Sequence, residues 1–248
     1  MARRIKITLS YDGTGFHGWQ VQPDLATIQG ALEAVISEID AKQVDVAGSG
    51  RTDAGVHALA QTAAFSIDNP IPLYNLRKAM NRMLPAAIRV VAVEEVAAEF
   101  HPRFDARAKT YEYRIWRAEV CPPFERRYVH HFPYPMDVDA FVRAAGVFAG
   151  EHDFTAFAAS GEKDALGASK VRRVFDSRAW LDGDRLLYRV RGSGFLKHMV
   201  RNLVGTLIEA GKGNLDEARI RELLTPNVQV KGGPTVPARG LFLLNVEY

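Results

Sequence analysis

The chain has one cysteine, Cys121, among its 248 residues, which excludes an intramolecular disulfide and any zinc site built from several cysteines. Its seven histidines include no H-E-x-x-H pattern, His130 and His131 are adjacent, and carboxylates do not gather around them at ligand spacing, so no metal centre is expected. No apolar run approaches the ~20 residues that cross a bilayer. The amino terminus is charged and then alternating, without the apolar core of a secretory signal. A cytoplasmic protein with no membrane association is the expectation. Excess charge of one sign is also nearly missing, with 32 Lys and Arg against 29 Asp and Glu. The small surplus is unevenly spread. Residues 169–201 hold Lys170, Arg172, Arg173, Arg178, Arg185, Arg189, Arg191, Lys197 and Arg201 against Asp176, Asp182 and Asp184, a stretch suited to phosphate groups. The plainer fate of such a run is a solvated sheet face.

What is present is ordinary globular composition, 47% apolar and 25% charged, enough for one large domain or two small ones. Residues 48–57 read GSGRTDAGVH, a glycine-punctuated loop with one carboxylate, Asp53, and an arginine, Arg51, two positions before it. Glycines allow close approach of a ligand to the main chain. A short carboxylate held beside a cation would stay ionised and could serve as nucleophile or general base. The alternative is an ordinary turn, for which Gly, Ser and Asp are common residues.

Periodicity predicts a strand over residues 5–11, a helix carrying Ile28, Leu32, Val35, Ile36 and Ile39, and a strand over 44–47 that runs into the Asp53 loop. Strand 57–67, helix 73–84 and strand 88–96 follow. The order β-α-β-β-α-β is the split βαβ, ferredoxin-like pattern. The second half repeats it: a strand over 108–116, a helix starting near Asp137 or Asp139, a hairpin of 171–181 and 185–191 about Asp182-Gly183-Asp184, and a long helix over 195–210. A short helix capped by Asn214 with Glu217 and a last strand over 241–247 close the chain. The expected fold class is therefore α+β, two ferredoxin-like halves (1–104 and 105–248) whose mainly antiparallel sheets flank a central catalytic cleft.

Two further constellations stand out. Strand alternation puts Tyr111, Tyr113 and Ile115 on one face, where an aromatic facing a cleft can stack on a base or simply be half-buried. In residues 192–202, GSGFLKHMVRN, a glycine turn becomes a helix with Lys197, Arg201 and Gly205 at i, i+4 and i+8, so that Arg201 could reach a carboxylate or merely decorate an amphipathic surface. His57 is expected to support the Asp53 loop and His198 to pack in the helix. Gly13, Gly15 and Gly18 satisfy G-x-G-x-x-G after a strand, yet Pro23 would fall inside the helix that a dinucleotide motif must open.

Taken in order, Tyr11-Asp12-Gly13-Thr14, Phe16-His17-Gly18-Trp19-Gln20, Thr27-Ile28-Gln29-Gly30, the block from Gly50 to Ala58, the Tyr111 strand, His152-Asp153-Phe154, the stretch from Phe195 to Asn202 and Ala238-Arg239-Gly240-Leu241 closely resemble the TruA family of tRNA pseudouridine synthases. The resemblance implies a cofactor-independent isomerase acting on uridines 38, 39 and 40 of the tRNA anticodon stem-loop, and a homodimer. It implies Asp53 as nucleophile or agent of glycosidic cleavage, Tyr111 in base stacking or proton transfer, Arg201 in a salt bridge to Asp53, and Arg51 in displacing the target nucleotide. Lys197, Arg172 and Arg173 are the basic residues expected to meet the RNA. Departures from the family pattern are Ala60 before Gln61, where a glycine is frequent, and the motif-free loop 158–170. Attack at C6, attack at C1′ and assisted ribosyl departure all remain open. So do the same chemistry at other RNA positions and a non-catalytic tRNA-binding or tRNA-folding protein, while a nucleotide-cofactor oxidoreductase is disfavoured by Asp53, Tyr111 and Arg201 together.

Overall fold

The structure, a computed structural model, describes residues 2–159, 169–226 and 230–248. It is a mixed α+β fold with two compact units, Met1–Arg107 with Phe242–Tyr248, and Ala108–Leu241. The first stretch forms β1 (Arg3–Tyr11), α1 (Ile28–Asp40), β2 (Ala47–Gly48), β3 (His57–Ile67), α2 (Leu73–Met83) and β4 (Ile88–Glu95). Next come β5 (Ala108–Trp116), β6 (His130–His131), α3 (Val138–Ala145), β7 (Gly150–Asp153), β8 (Val171–Asp182), β9 (Arg185–Gly192), α4 (Met199–Gly211), α5 (Glu217–Leu223) and β10 (Leu241–Glu247). No helix among the described residues is long and apolar enough to cross a membrane. Residues 160–168 of the motif-free loop lie outside the described residues.

In the first unit β1 lies between β3 and β4, antiparallel to both, and β2 pairs with β3. β10 runs parallel to β3 with Phe242 opposite His57. The alternation read from β1 is its burial pattern: Ile5, Ile7 and Leu9 are fully buried. On α1 the buried Ile28, Leu32 and Ile36 recur at helical spacing, and the Thr27 side chain caps the start by accepting from the Gly30 amide at 3.2 Å. The strand expected over 44–47 is not formed; β2 begins only at Ala47. Val44 and Val46 are buried, but their amides donate to Ser37 Oγ (2.9 Å) and Glu33 Oε1 (3.1 Å) of α1. Side chains take the bonds a strand partner would have taken.

In the second unit the strand order is β5-β9-β8-β7, antiparallel throughout, with β6 parallel to β5. Tyr111, Tyr113 and Ile115 share the buried face of β5 as expected, at 8%, 0% and 0% exposure. Between them Glu112, on the other face, is 5% exposed and takes a hydrogen bond from Arg114 Nε at 3.0 Å and another from Arg189 Nη2 at 2.6 Å. That pairing is what makes burial of the carboxylate tolerable. α3 starts after Asp137, whose side chain accepts from the Ala140 amide at 2.9 Å.

Two helix starts differ from expectation. α4 begins at Met199, four residues late, because His198 holds a left-handed φ of 60° and the Lys197 carbonyl accepts from the Ala159 amide at 3.0 Å rather than from the next helical turn. Lys197 therefore lies in the preceding turn, off the helix, and His198 stands at the N-cap position, where its side chain makes no capping bond. α5 is capped by Asp216, which accepts from the Arg219 amide at 2.7 Å, while Asn214 donates instead to Glu209 Oε2 at 2.6 Å. α4 is buried along most of its length, and at Gly205 a Cβ would fall 1.8 Å from the Pro234 carbonyl oxygen. Residues 232–237 can lie against the helix only because that position is a glycine.

Candidate functional site

The first group of site residues is built where β1 ends. Asp12 accepts from the Thr14 amide at 3.0 Å and opens a single 3-10 turn, Gly13–Gly15. No long helix follows the three glycines; α1 starts only at Ile28. Instead Gly13 and Gly18 form a wall for the Asp53 loop. A Cβ on Gly13 would lie 2.1 Å from the Val56 carbonyl oxygen, and one on Gly18, already at φ +88°, 2.6 Å from the Thr52 carbonyl oxygen. Main-chain bonds tie the two segments: Trp19 N–H donates to the Thr52 carbonyl (3.0 Å) and Gly55 N–H to the Phe16 carbonyl (3.3 Å).

Side chains hold the loop from below. The Tyr11 and Thr52 hydroxyls lie 2.9 Å apart, both buried. Burial pushes the Tyr11 phenol up, over the opposing pull of its hydrogen bonds to Thr52 and Gln61, so this contact is between neutral groups at physiological pH. Gln61, fully buried, accepts from Ser49 Oγ at 2.5 Å and donates to the Gly50 carbonyl at 3.1 Å. His57 is 1% exposed, its Nδ1 lies 3.1 Å from both the Gly13 amide and Asp12 Oδ1, and its ring stacks on Phe242 with centroids 4.7 Å apart. Asp53 sits on this fixed base, partly exposed, with its own carbonyl accepting from the Val56 amide at 3.1 Å. Arg51, two residues before Asp53, is exposed. The arrangement holds a partly exposed aspartate in a loop anchored on both sides, which is what positioned nucleophilic or acid-base chemistry requires.

The second group lies in the other unit. Tyr111 meets the Phe195 ring edge-on, with centroids 5.1 Å apart at 81°. Tyr113, two positions along the same face, donates its hydroxyl to the Pro237 carbonyl at 2.7 Å, and burial pushes its phenol up against the nearby positive charges of Arg201 and Arg239. Arg201, in the first turn of α4, donates from Nε to the Val236 carbonyl at 2.8 Å. Asn202 beside it donates to the Phe157 carbonyl (2.7 Å) and accepts from Thr235 Oγ1 (2.6 Å). The guanidinium is thus oriented by the strap 232–237, which sequence reading missed. Lys197 is exposed in the turn before α4. Arg172 and Arg173 neighbour each other on β8, so they project to opposite faces of the strand and do not form one patch. Arg172 donates to the Ser169 carbonyl at 2.9 Å, and Arg173 lies 5.7 Å from the centre of the Phe175 ring. Among the described residues no group of three or more His, Cys, Asp or Glu side chains gathers where a metal ion could be held.

Comparison with known proteins gives a consistent result. A family model described as tRNA pseudouridine synthase matches residues 7–105 and 144–248. The chain is 62% identical over 246 residues to a tRNA pseudouridine synthase A of Solibacter usitatus (strain Ellin6076), covering 99% of this chain and 100% of the relative. It is 43% identical over 246 residues to the protein of the same name from Brevibacillus brevis (strain 47), with the same coverage.

Proposed function

The chain belongs to the tRNA pseudouridine synthase family, and from that premise we propose that it isomerises uridines 38, 39 and 40 of the tRNA anticodon stem-loop to pseudouridine with Asp53 as the nucleophile. The observation that carries this reading is the anchored loop: Thr52, Gly55 and Gly50 are fixed by Trp19, Phe16 and Gln61, leaving the Asp53 carboxylate on a rigid support. The reaction breaks the N1–C1′ bond, turns the uracil and joins C5 to C1′, with loss of the C5 proton and no net redox change. Asp53 attacks C1′ or C6 or assists ribosyl departure; a bond it forms at C1′ breaks as C5 takes C1′, and one at C6 breaks as the product is released, while Asp53 or Tyr111 accepts the C5 proton and N1 takes one up.

In this reading Tyr111 stacks on the target base, Arg201 pairs with Asp53, and Arg51 displaces or holds the nucleotide. Extruding the target costs a few kcal/mol, offset by phosphate contacts and stacking. Lys197, Arg172 and Arg173 supply phosphate contacts. Two ferredoxin-like halves, the first bearing Asp53 and the second Tyr111 and Arg201, a homodimeric assembly and a cytoplasmic site of action complete the proposal.

Tritium release from C5-labelled uridine in unmodified tRNA, by purified protein without added metal or nucleotide, tests it. Release that maps to the anticodon stem-loop is the expected result. Binding of tRNA with no release would sink the catalytic reading in favour of an RNA-binding role, and release mapped elsewhere would move the target. Tyr111→Phe separates two roles of that residue. Turnover should fall by about 100-fold or more if the hydroxyl transfers the proton, and only a few-fold if the ring alone is used; single-turnover rates at saturating tRNA measure the difference.

A further inference from the structure

From residue 69 to residue 93 the sequence holds no aspartate or glutamate, and Arg77, Lys78, Arg82 and Arg89 stand within that stretch. Most of them sit on α2. Its inner side is closed by Leu76 and Met80, both fully buried. Tyr74, Lys78 and Arg82 recur at i, i+4 and i+8 on the outer side, all exposed, with Tyr74 at 62%. A rise of ~1.5 Å per residue sets these three about 6 Å apart along one ridge. The Lys78 ammonium lies 5.1 Å and the Arg77 guanidinium 5.9 Å from the centre of the Tyr74 ring, each over the ring, so an exposed aromatic gathers two cations on the helix surface.

This composition works against the helix itself. The first turn has no acidic residue, and Pro72 at the cap position makes no side-chain bond, although a carboxylate there would favour the helix dipole. The positions four residues either side of Lys78 are Tyr74 and Arg82, so its only charged neighbour at that spacing repels it. A face needed only for solubility would mix signs, as α5 does with Arg219 beside Glu222 (2.5 Å) and Arg221 beside Glu217 (3.8 Å). A one-sign ridge with an exposed ring is complementary to a polyanion that also offers flat surfaces.

We infer that the Tyr74-Lys78-Arg82 face of α2 is a contact surface for the phosphodiester backbone of the substrate RNA, in the unit that carries Asp53. The inference rests on the functional reading above. It is tested with Lys78→Gln/Arg82→Gln in the full-length protein, against Arg219→Gln/Arg221→Gln, which removes the same charge from α5. Filter binding of unmodified tRNA across a salt series is the measurement, with circular dichroism confirming the fold. The α2 variant should flatten the slope of log K against log salt by about 1.4 to 1.8, the loss of two phosphate contacts, and raise KM with kcat held. The α5 variant should do neither. An unchanged slope in the α2 variant, or an equal change in the α5 variant, would overturn the inference while leaving the functional reading intact. Failure of the unmodified protein to bind tRNA at all would defeat the functional reading, and this surface with it.

Discussion

Replacing Asp53 by asparagine should lower tritium release by about 10⁴-fold or more, the scale of losing a nucleophile whose partners act with it, while tRNA affinity stays within a few-fold. Asparagine has nearly the shape of aspartate and leaves the loop's main-chain anchors in place. The bonds from Trp19 to Thr52, from Gly55 to Phe16 and from Gln61 to Gly50 involve the main chain of neighbouring residues, not the Asp53 carboxylate. What is removed is charge and nucleophilicity. Single-turnover release and filter binding on the same preparation separate chemistry from binding. A variant that turned over at a rate comparable with the unsubstituted protein would take Asp53 out of the mechanism and leave the loop as a structural turn. A variant that lost tRNA affinity in proportion to its rate would make Asp53 a binding residue.

Much of the fold was legible because local signals and tertiary packing agree. The two-residue period of Ile5, Ile7 and Leu9 and the helical spacing of Ile28, Leu32 and Ile36 both mark faces that are fully buried. Legibility failed where a side chain or main-chain group found a partner outside its own element. Val44 and Val46 have strand character, but Ser37 and Glu33 took their amides. The residues from Phe195 to His198 have a helical apolar pattern, but the Lys197 carbonyl is spent on Ala159 and His198 turns left-handed. Asn214 and Glu217 have capping-box spacing, yet Glu209 captured the Asn214 side chain. Periodicity carries no information about any of these partners. The same limit applies to the site. Glycines, a carboxylate and an arginine in ten residues mark Asp53, whereas nothing in the spacing of Tyr11, Trp19 and Gln61 tells that they fix its loop. The strap 232–237 was invisible for a related reason: its register on α4 depends on Gly205, whose meaning appears only when Pro234 is beside it.

The G-x-G-x-x-G pattern yields the second large effect expected. Its glycines fit no dinucleotide motif, and the packing of Gly13 and Gly18 assigns those two to the Asp53 loop, so Gly13→Ala should cost about 100-fold or more in turnover, the scale of an ångström-sized displacement of a catalytic group. The added methyl would lie 2.1 Å from the Val56 carbonyl oxygen and 2.8 Å from its carbon, both main-chain atoms that cannot rotate away. Either the 3-10 turn, whose Gly13 amide donates to His57 Nδ1, or the loop, whose Gly55 amide donates to the Phe16 carbonyl, must move. Overpacking of this kind costs about 1–3 kcal/mol, less than the ~5–15 kcal/mol that holds a typical domain folded, so the variant should remain folded with a lowered midpoint. Gly15→Ala is the matched control, since nothing lies within 4 Å of a Cβ there, and its turnover should stay within a few-fold of the unsubstituted protein. Circular dichroism and single-turnover release on both variants decide the matter. If Gly13→Ala were as active as Gly15→Ala, the wall would be yielding and the position of Asp53 would not depend on it; a loss confined to Gly13→Ala would make the glycine segment a positioning element for the carboxylate.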